Sequence, residues 1–551
     1  MKIKPQITNS LWFIVAAYLI LVAPLALDFN FYYPDEVHYS DAAIEMMQNN
    51  DFLTPYQGSG ELRFNKPIIT YWIVLLGFRI FGISAFAARF FFFLAGAGVL
   101  LLVYQICKLI YDSKQTALIG TAIAASNVTF LMSSMRSIPD ILLCLFISLS
   151  LLGFAGFIRF GNQTPKKYHW LLFVGLALAF EVKGIPAIMI GGYGLLFLLI
   201  NPWNQIKLKK LIHWPSIITA IIIASYWFVV MFIFYRNEFF KSFYNDQVGE
   251  RISINFRVVL DNLGLSLGLI AGLLMPWITF ISKKQKVFNT ENVPQKTFQF
   301  FTVIGTAIFV LLAGLVFKFY DRYLLPLVPL WSVMMAFLIS ENITKKQALI
   351  KFWGILSVIL QATLLAFAIT ISITLKEDSI HYIWLFSGLV VTSLISYQLF
   401  KTRKMVWLAI SVPLIAYNLT IVTHTISFPG EGQQITQILK NNRIDKANEI
   451  GFVGNPQIAS KLRIASKGNY KVINLNKLYA EYESENYNTL IVSERDMYLY
   501  PDSIFSVIGN SVSWSSPNSR LFINSLWNGK YRENLRRYGK KYYIISNKTD
   551  T

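Results

Sequence analysis

Apolar runs close to twenty residues long recur from residue 11 to about residue 427, and that recurrence limits the fold more than any motif does. A run of this length crosses the hydrocarbon of a bilayer as a helix, because in lipid every backbone N–H and C=O must find its partner inside the segment. Composition agrees: 54% of the 551 residues are hydrophobic and only 15% are charged, where soluble domains carry about 25%. The chain therefore reads as a polytopic α-helical membrane protein. Spans are expected near 11–27, 85–110, 115–134, 138–159, 170–182, 186–200, 213–235, 258–282, 298–317, 322–340, 352–375, 381–400 and 405–427. The first run is long for a signal peptide and no small-x-small cleavage site follows it cleanly, so it is expected to stay as a signal-anchor helix.

The formal charge of +20 would suggest nucleic acid in a soluble protein. Here the basic residues cluster in short loops between apolar runs, where they set topology, and no nucleic-acid partner is expected. One stretch, "IITYWIVLLGFRIFGI" at 68–83, is short and carries Arg79. If it does not cross, the lysine-dense loops "RFGNQTPKKYH", "NQIKLKK", "SKKQK", "ITKKQALIK" and "KTRK" share one side, which is then cytoplasmic. It is expected to lie as an interfacial or re-entrant helix. That leaves about thirteen crossings, with the N-terminus inside and the C-terminus outside. The loops 28–67 and 236–257 then face outward. Cys107 and Cys144 lie in apolar runs and form no CxxC pair, and the five histidines have no zinc spacing.

From about residue 430 the composition changes. "EGQQITQILKNN" reads as a helix, and "EIGFVG", "NTLIVSE" and "KYYIISN" read as short buried strands with helix-like segments between them. The expected organisation is a transmembrane domain over 1–429, with 28–67 as its first outer loop, and a small α/β domain over 430–551 on the outer face. No GxGxxG or Walker loop assigns it a nucleotide.

Candidate chemistry gathers at the outer helix ends. In "FYYPDEVHYSDAAIEMM", Pro34 can open a helix whose first turn holds Asp35 and Glu36, where the dipole favours anions. Both acids could simply cap that helix. Alternatively, a carboxylate at the membrane–water boundary could take a proton from an acceptor hydroxyl or help hold a divalent metal. In "GSGELRFNKPIITYW", Arg63 and Lys66 precede a helix N-terminus, which disfavours a cation unless an anion such as a phosphate joins it; a snorkelling lysine is the plainer reading. Arg136 and Asp140 in "MRSIPD", and Glu181 and Lys183 in "EVKG", are costly at a bilayer surface unless paired or lining a wet cavity. "FKFYDRYLLPLVP" adds Tyr320 and Arg322, with Pro326 and Pro329 expected to bend the next helix, and the long outer loop adds Arg251 and Arg257. With His38 and Tyr39, these residues suggest an outward cavity with one or two acids and several cations, which suits a phosphate-bearing lipid.

In order, "DE" after the first span, "NNDFLTP", "KPIITYW", "FGISAFAARF", "EVKG", "FFKSFYNDQVGER" and "YLLPLVPLW" resemble membrane glycosyltransferases of the GT-C fold. The likeness is to the group of the aminoarabinose lipid A transferase (ArnT) and the protein O-mannosyltransferases, and it covers residues 10 to about 340. It implies a sugar taken from a polyprenyl phosphate on the outer leaflet of a bacterial inner membrane and passed to a glycolipid or protein acceptor. It further implies that Asp35, with Glu36 beside it, is the catalytic or acceptor-orienting carboxylate. By the same likeness Lys66 would hold the donor phosphate; the charge growing on that phosphate leads us to expect Arg63, Arg251 and Arg322 in support. His38, Tyr39, Arg136, Asp140, Lys183 and Tyr320 would line the cavity. The chain departs from the bacterial pattern at His38, Asn65 and Asp246-Gln247, where Arg, Glu and His are usual. The absent Glu and His are the residues the aminoarabinose branch links to a metal, so no cofactor is assigned and a divalent metal stays a candidate. A transporter or flippase for a lipid-linked sugar is the competing class, but it commonly shows paired repeats and broken mid-membrane helices, and neither is legible here. A sugar-binding scaffold without catalysis is a third.

Overall fold

The computed structural model describes residues 10–28, 31, 34–58, 60–203, 206–246, 255–281, 287–288, 290–340, 346–375, 379–427, 430–445, 449–475, 486–500, 503–514 and 519–547. Arg251 lies outside the described residues.

Each expected span lands on a helix. In chain order these are α1 (Leu11–Asp28), the outer-loop helix α2 (Pro34–Gln48), α3 (Ile69–Phe81), α4 (Ala85–Tyr111), α5 (Lys114–Ala125), α6 (Val128–Ser134), α7 (Pro139–Phe160), α8 (Lys166–Lys183) and α9 (Ile185–Ile200). They continue as α10 (Trp214–Tyr244), α11 (Phe256–Leu273), α12 (Val293–Gly314), α13 (Val328–Ser340), α14 (Gln347–Leu375), α15 (Ser379–Thr402) and α16 (Met405–Ser427). Among the described residues, nine helices are long and apolar enough to cross a bilayer, and α5 with α6 can make a tenth. α3 has 13 residues, about 20 Å of helix, and is too short for a hydrocarbon core of about 30 Å.

Local chemistry explains the helix starts. Ser84, Ser113, Asn127, Asn255 and Asn292 each accept a hydrogen bond from a first-turn N–H of the helix they precede. Asn127 also corrects one expectation. The run 115–134 reads as one straight span, yet it bends by 66° between α5 and α6. The Asn127 side chain caps α6 and donates to the Leu273 carbonyl, so the backbone freed at the break is satisfied locally. Helices pack where residues are small. A Cβ on Gly153 would lie 2.4 Å from the Leu172 nitrogen, and one on Gly77 would lie 2.0 Å from the Ala87 carbonyl oxygen, so α7–α8 and α3–α4 approach backbone to backbone.

Two further boundaries differ from the sequence reading. The loop expected from residue 236 is helical as far as Tyr244. Arg236 takes a left-handed φ of 47° that redirects the helix, and Phe239 then buries itself against Phe64 and Trp227. Before α13 stands a 3-10 turn, Asp321–Leu327, holding Pro326.

Beyond α16, helices α17 (Glu431–Asn441) and α18 (Pro456–Ala465) accompany a five-stranded sheet of order β2-β1-β3-β5-β4. Its strands are β1 (Glu449–Val453), β2 (Lys471–Asn474), β3 (Thr489–Ser493), β4 (Phe505–Ser513) and β5 (Lys540–Asn547). β1 is parallel to β2 and β3, while β5 runs antiparallel to β3 and β4. Strand alternation gives the sheet two apolar faces. Phe452 and Ile491 point to α17 and α18, whereas Val453, Leu490 and Val492 form a second cluster with Tyr500. β2 and β4 were not expected from the sequence. β2 is four residues long, and β4 carries Gly509 with a register shift, so neither shows clean alternation.

Candidate active site

α2 opens at Pro34, and the two acids of its first turn diverge because successive residues on a helix lie about 100° apart. Glu36 points inward and is fully buried. Its carboxylate accepts from Arg89 on α4 at 2.7 and 2.9 Å and from the Ser137 N–H at 2.9 Å. The Arg89 guanidinium lies 4.7 Å from the Phe31 ring centre. This carboxylate is committed to fixing α2 against α4 and the α6–α7 turn, where Arg136 is the residue before Ser137. Asp35 faces the other way, remains 44% exposed, and accepts from Arg322 Nη1 at 2.8 Å.

Arg322 is held by the 3-10 turn before α13. Its guanidinium sits 4.9 Å from the Tyr320 ring, and the neighbouring Asp321 accepts from Thr129 Oγ1 at 3.0 Å, which ties the turn to α6. Asp140, in the first turn of α7, pairs with Lys183, the last residue of α8, at 2.5 Å. Lys183 also lies 5.2 Å from the Tyr323 ring. On the other side, the turn after α2 presents Arg63 5.9 Å from the Tyr39 ring and beside Tyr71. Lys66 bonds Asp246 at 3.0 Å, and Asn65 Nδ2 reaches the same carboxylate at 3.1 Å. Tyr39, whose ring centre lies 5.2 Å from that of Tyr71 at a 54° tilt, is within electrostatic reach of Arg63, Asp35 and Asp140, so the two groups of charges meet around it.

Burial shifts three groups of the outer-loop helix. Burial, aided by the Arg63 charge, lowers the His38 pKa below its ordinary 6.5. Burial likewise pushes the Tyr39 phenol well above 10.0. It raises the Glu45 carboxyl too, despite Arg463 beside it.

An apolar cavity of about 310 Å³ opens onto Lys183, Arg322 and Tyr323. Its walls include Leu143 on α7, Met189 on α9 and Phe309 on α12. Thus the structure brings together Asp35, His38, Tyr39, Arg63, Asp140, Lys183, Tyr320 and Arg322, with Lys66 beside Asp246. It separates Glu36 from the open side. Among the described residues, no group of three or more His, Cys, Asp or Glu side chains stands ready to hold a metal. Sequence reasoning singled out Tyr323 in the outer turn but missed Arg89, which lies inside an apolar run, and Tyr71. A charge or phenol with no local partner was the available signal for each.

Residues 65–229 match the family model described as dolichyl-phosphate-mannose-protein mannosyltransferase. An uncharacterized protein of Aquifex aeolicus is 32% identical over 217 residues, which are 39% of this chain and 42% of that protein. The undecaprenyl phosphate-alpha-4-amino-4-deoxy-L-arabinose arabinosyl transferase of Yersinia pestis is 27% identical over 219 residues, 39% of this chain and 38% of that enzyme. The matched stretch thus spans about two-fifths of either relative. The crystal structure of ArnT from Cupriavidus metallidurans bound to undecaprenyl phosphate superposes with a TM-score of 0.67 at 14% identity, covering 90% of this chain and 96% of that one. The resemblance read from the sequence is therefore borne out, and over nine-tenths of its length this chain carries the GT-C fold of ArnT.

Proposed function

We propose that the protein transfers a sugar from a polyprenyl-phosphate-linked donor to an acceptor at the membrane surface. The observation that carries this reading is the apolar cavity headed by Lys183 and Arg322, with Asp35 on that same arginine. A long isoprenoid fits an apolar channel, and its phosphate fits cations at the mouth. Few other ligands need both.

In the proposed reaction an acceptor oxygen attacks the anomeric carbon as the bond from that carbon to the phosphate oxygen breaks, with inversion. Negative charge grows on the departing phosphate. Arg322 and Lys183 at the cavity head, and Arg63 and Lys66 across Tyr39, supply fixed positive charge there in a half-dry site, where it acts more strongly than in water. Asp35 is the exposed carboxylate of the cluster. It accepts the proton of a hydroxyl acceptor, or orients an acceptor phosphate that is already ionised. Glu36 supports it by anchoring the same turn of α2. The acceptor class is a lipid A-like glycolipid, with a protein hydroxyl as the second choice.

The membrane orientation follows from charge. α8 begins at Lys166 and ends at Lys183, so the connector that carries Lys166 and Lys167 falls at the end of α8 opposite the site. With basic loops kept inside, the site and the sheet domain face the periplasm of a bacterial inner membrane.

The test is mass spectrometry of glycolipids and secreted proteins from a deletion strain, complemented with wild-type protein or with Asp35→Asn. One sugar mass should vanish on deletion and return only with wild type. Full restoration by Asp35→Asn refutes the role of the carboxylate. Accumulation of a lipid-linked sugar on one leaflet, with no sugar mass lost from any acceptor, replaces transferase by transporter.

A further inference from the structure

α18 belongs to the sheet domain, yet it is shared. Ile458, Ala459 and Leu462 pack into the domain's own core, while the next two residues face away. Ile464 joins the apolar core of the helical bundle, and Arg463, 1% exposed, enters the space beside α2. There its guanidinium bonds Glu45, and its Nε lies 3.1 Å from Asp41 Oδ1. Asp41 and Glu45 are one turn apart on the same face, about 140° and about 180° around α2 from Glu36. Two like charges at that spacing repel and weaken a helix. Both are largely buried, and the planar fork of an arginine can serve both at once.

The third wall of this space is the turn after α2. A Cβ on Gly58 would fall 1.4 Å from Arg463 Nη2, so the guanidinium rests directly on the backbone of that turn. The turn is short and closed: Gln57 N–H donates to the Glu61 carbonyl at 2.7 Å, and Arg63 N–H to the Pro55 carbonyl at 2.8 Å. It leads straight into Arg63 and Lys66. One side chain from the sheet domain therefore braces both the helix that carries Asp35 and Tyr39 and the turn that carries Arg63.

We infer that Arg463 is a positioning residue: it clamps Asp41, Glu45 and the backbone at Gly58, and so sets the separation between Asp35 and Arg63 across the site. Without it, α2 keeps its Glu36–Arg89 anchor at one end and can swing at the other. This explains what the sheet domain contributes to a reaction it does not touch. The kinetic consequence rests on the transferase reading above; the mechanical one does not.

The experiment uses full-length protein in lipid nanodiscs, as wild type, Arg463→Gln, Arg463→Lys and Gly58→Ala. Amide hydrogen exchange is followed in all four, and the steady-state rate of sugar transfer from a polyprenyl-phosphate sugar is measured. In Arg463→Gln, exchange over residues 34–48 and 55–66 should speed up by about tenfold, with α4 and α7 unchanged. Transfer should lose about a hundredfold in kcat, while KM for the donor moves little, because misplacement by about 1 Å costs that much without removing a binding group. Arg463→Lys should fall between, since an ammonium cannot fork between two carboxylates. Gly58→Ala displaces the guanidinium while keeping its charge, and should reproduce the exchange signature even where Arg463→Gln folds poorly. Unchanged exchange over 34–48 in folded Arg463→Gln and Gly58→Ala overturns the clamp. Faster exchange with unchanged kcat overturns its role in positioning. Faster exchange in variants of a protein that transfers no sugar from any polyprenyl donor upholds the clamp and refutes the transferase reading instead.

Discussion

The Glu36–Arg89 pair offers a sharp test of how this site is built. Both groups are buried, the guanidinium grips the carboxylate at two points, and the Ser137 N–H adds a third bond at 2.9 Å. Replacing Arg89 by Met keeps most of the side-chain volume and removes the charge. Glu36 is then a dry carboxylate beside the Ser137 amide. Breaking such a pair from one side costs about 3–5 kcal/mol. The double variant Arg89→Met/Glu36→Gln has no stranded charge, because the glutamine carbonyl still accepts from Ser137. It should lose only the neutral hydrogen bonds, about 1–2 kcal/mol. The double variant is thus expected to be more stable than Arg89→Met alone by about 2 kcal/mol, the mark of coupling between the two sites. Equilibrium unfolding in mixed micelles, with Glu36→Gln completing the cycle, measures that coupling. If Arg89→Met matches wild type, or if the double variant is the least stable of the four, the carboxylate is not a structural anchor. If Glu36→Gln folds with wild-type stability and transfers no sugar, Glu36 belongs to the chemistry beside Asp35.

Two other outcomes are expected from the same geometry. Gly153→Ala puts a Cβ 2.4 Å from the Leu172 nitrogen, so α7 and α8 must separate; a loss of about 1–3 kcal/mol is expected in the same unfolding assay, and wild-type stability would refute the close approach. His38 has its pKa lowered in the folded protein by burial and Arg63, so below its ordinary value of 6.5 the unfolded chain binds more protons. The stability that neutral His38 confers is therefore complete above about pH 6.5 and declines as pH falls through the window beneath it. His38→Gln should flatten the dependence of melting temperature on pH in that window and leave it unchanged above, and an unaltered slope counts against the burial of this ring.

What could be read from the sequence was local. Apolar period and length gave the spans, Pro34 and the paired acids gave the start of α2, and short continuous apolar runs gave β1, β3 and β5. The break at Asn127 was within reach, since Ser126-Asn127 stands inside an apolar run and asparagine is a strong cap. The helical stretch after Arg236 was less so. Its charges look like a loop, and only burial of Phe239 between Phe64 and Trp227 makes it a helix. The site residues were legible as types near helix ends, but their pairings were not. Asp35 meets Arg322 across 287 positions, Lys66 meets Asp246 across 180, and Asp41 meets Arg463 across 422. No periodicity encodes such partners. They are fixed by which helices pack, and the packing rests on glycines whose role shows only when the neighbouring backbone is in place.

The acids of α2 show why type alone is a poor guide to role. Asp35, Glu36, Asp41 and Glu45 lie within eleven residues, and in a sequence each is simply a carboxylate on a polar helix. A helix carrying four acids at a membrane surface has little reason to stay put, because each would rather face water. Here Glu36 is matched by an arginine from α4, Asp41 and Glu45 by one from the sheet domain, and Asp35 by one from the turn before α13. Three arginines from three parts of the fold therefore hold one short helix. Two of the contacts are closed to solvent, and desolvation makes them rigid. The third remains partly open, and it is the one at the cavity mouth. A salt bridge that stays accessible can exchange partners at low cost, since water screens the separated charges. On the transferase reading proposed above, a lipid phosphate that reaches Arg322 would release Asp35 toward an acceptor proton while the buried pairs hold the rest of α2 in place.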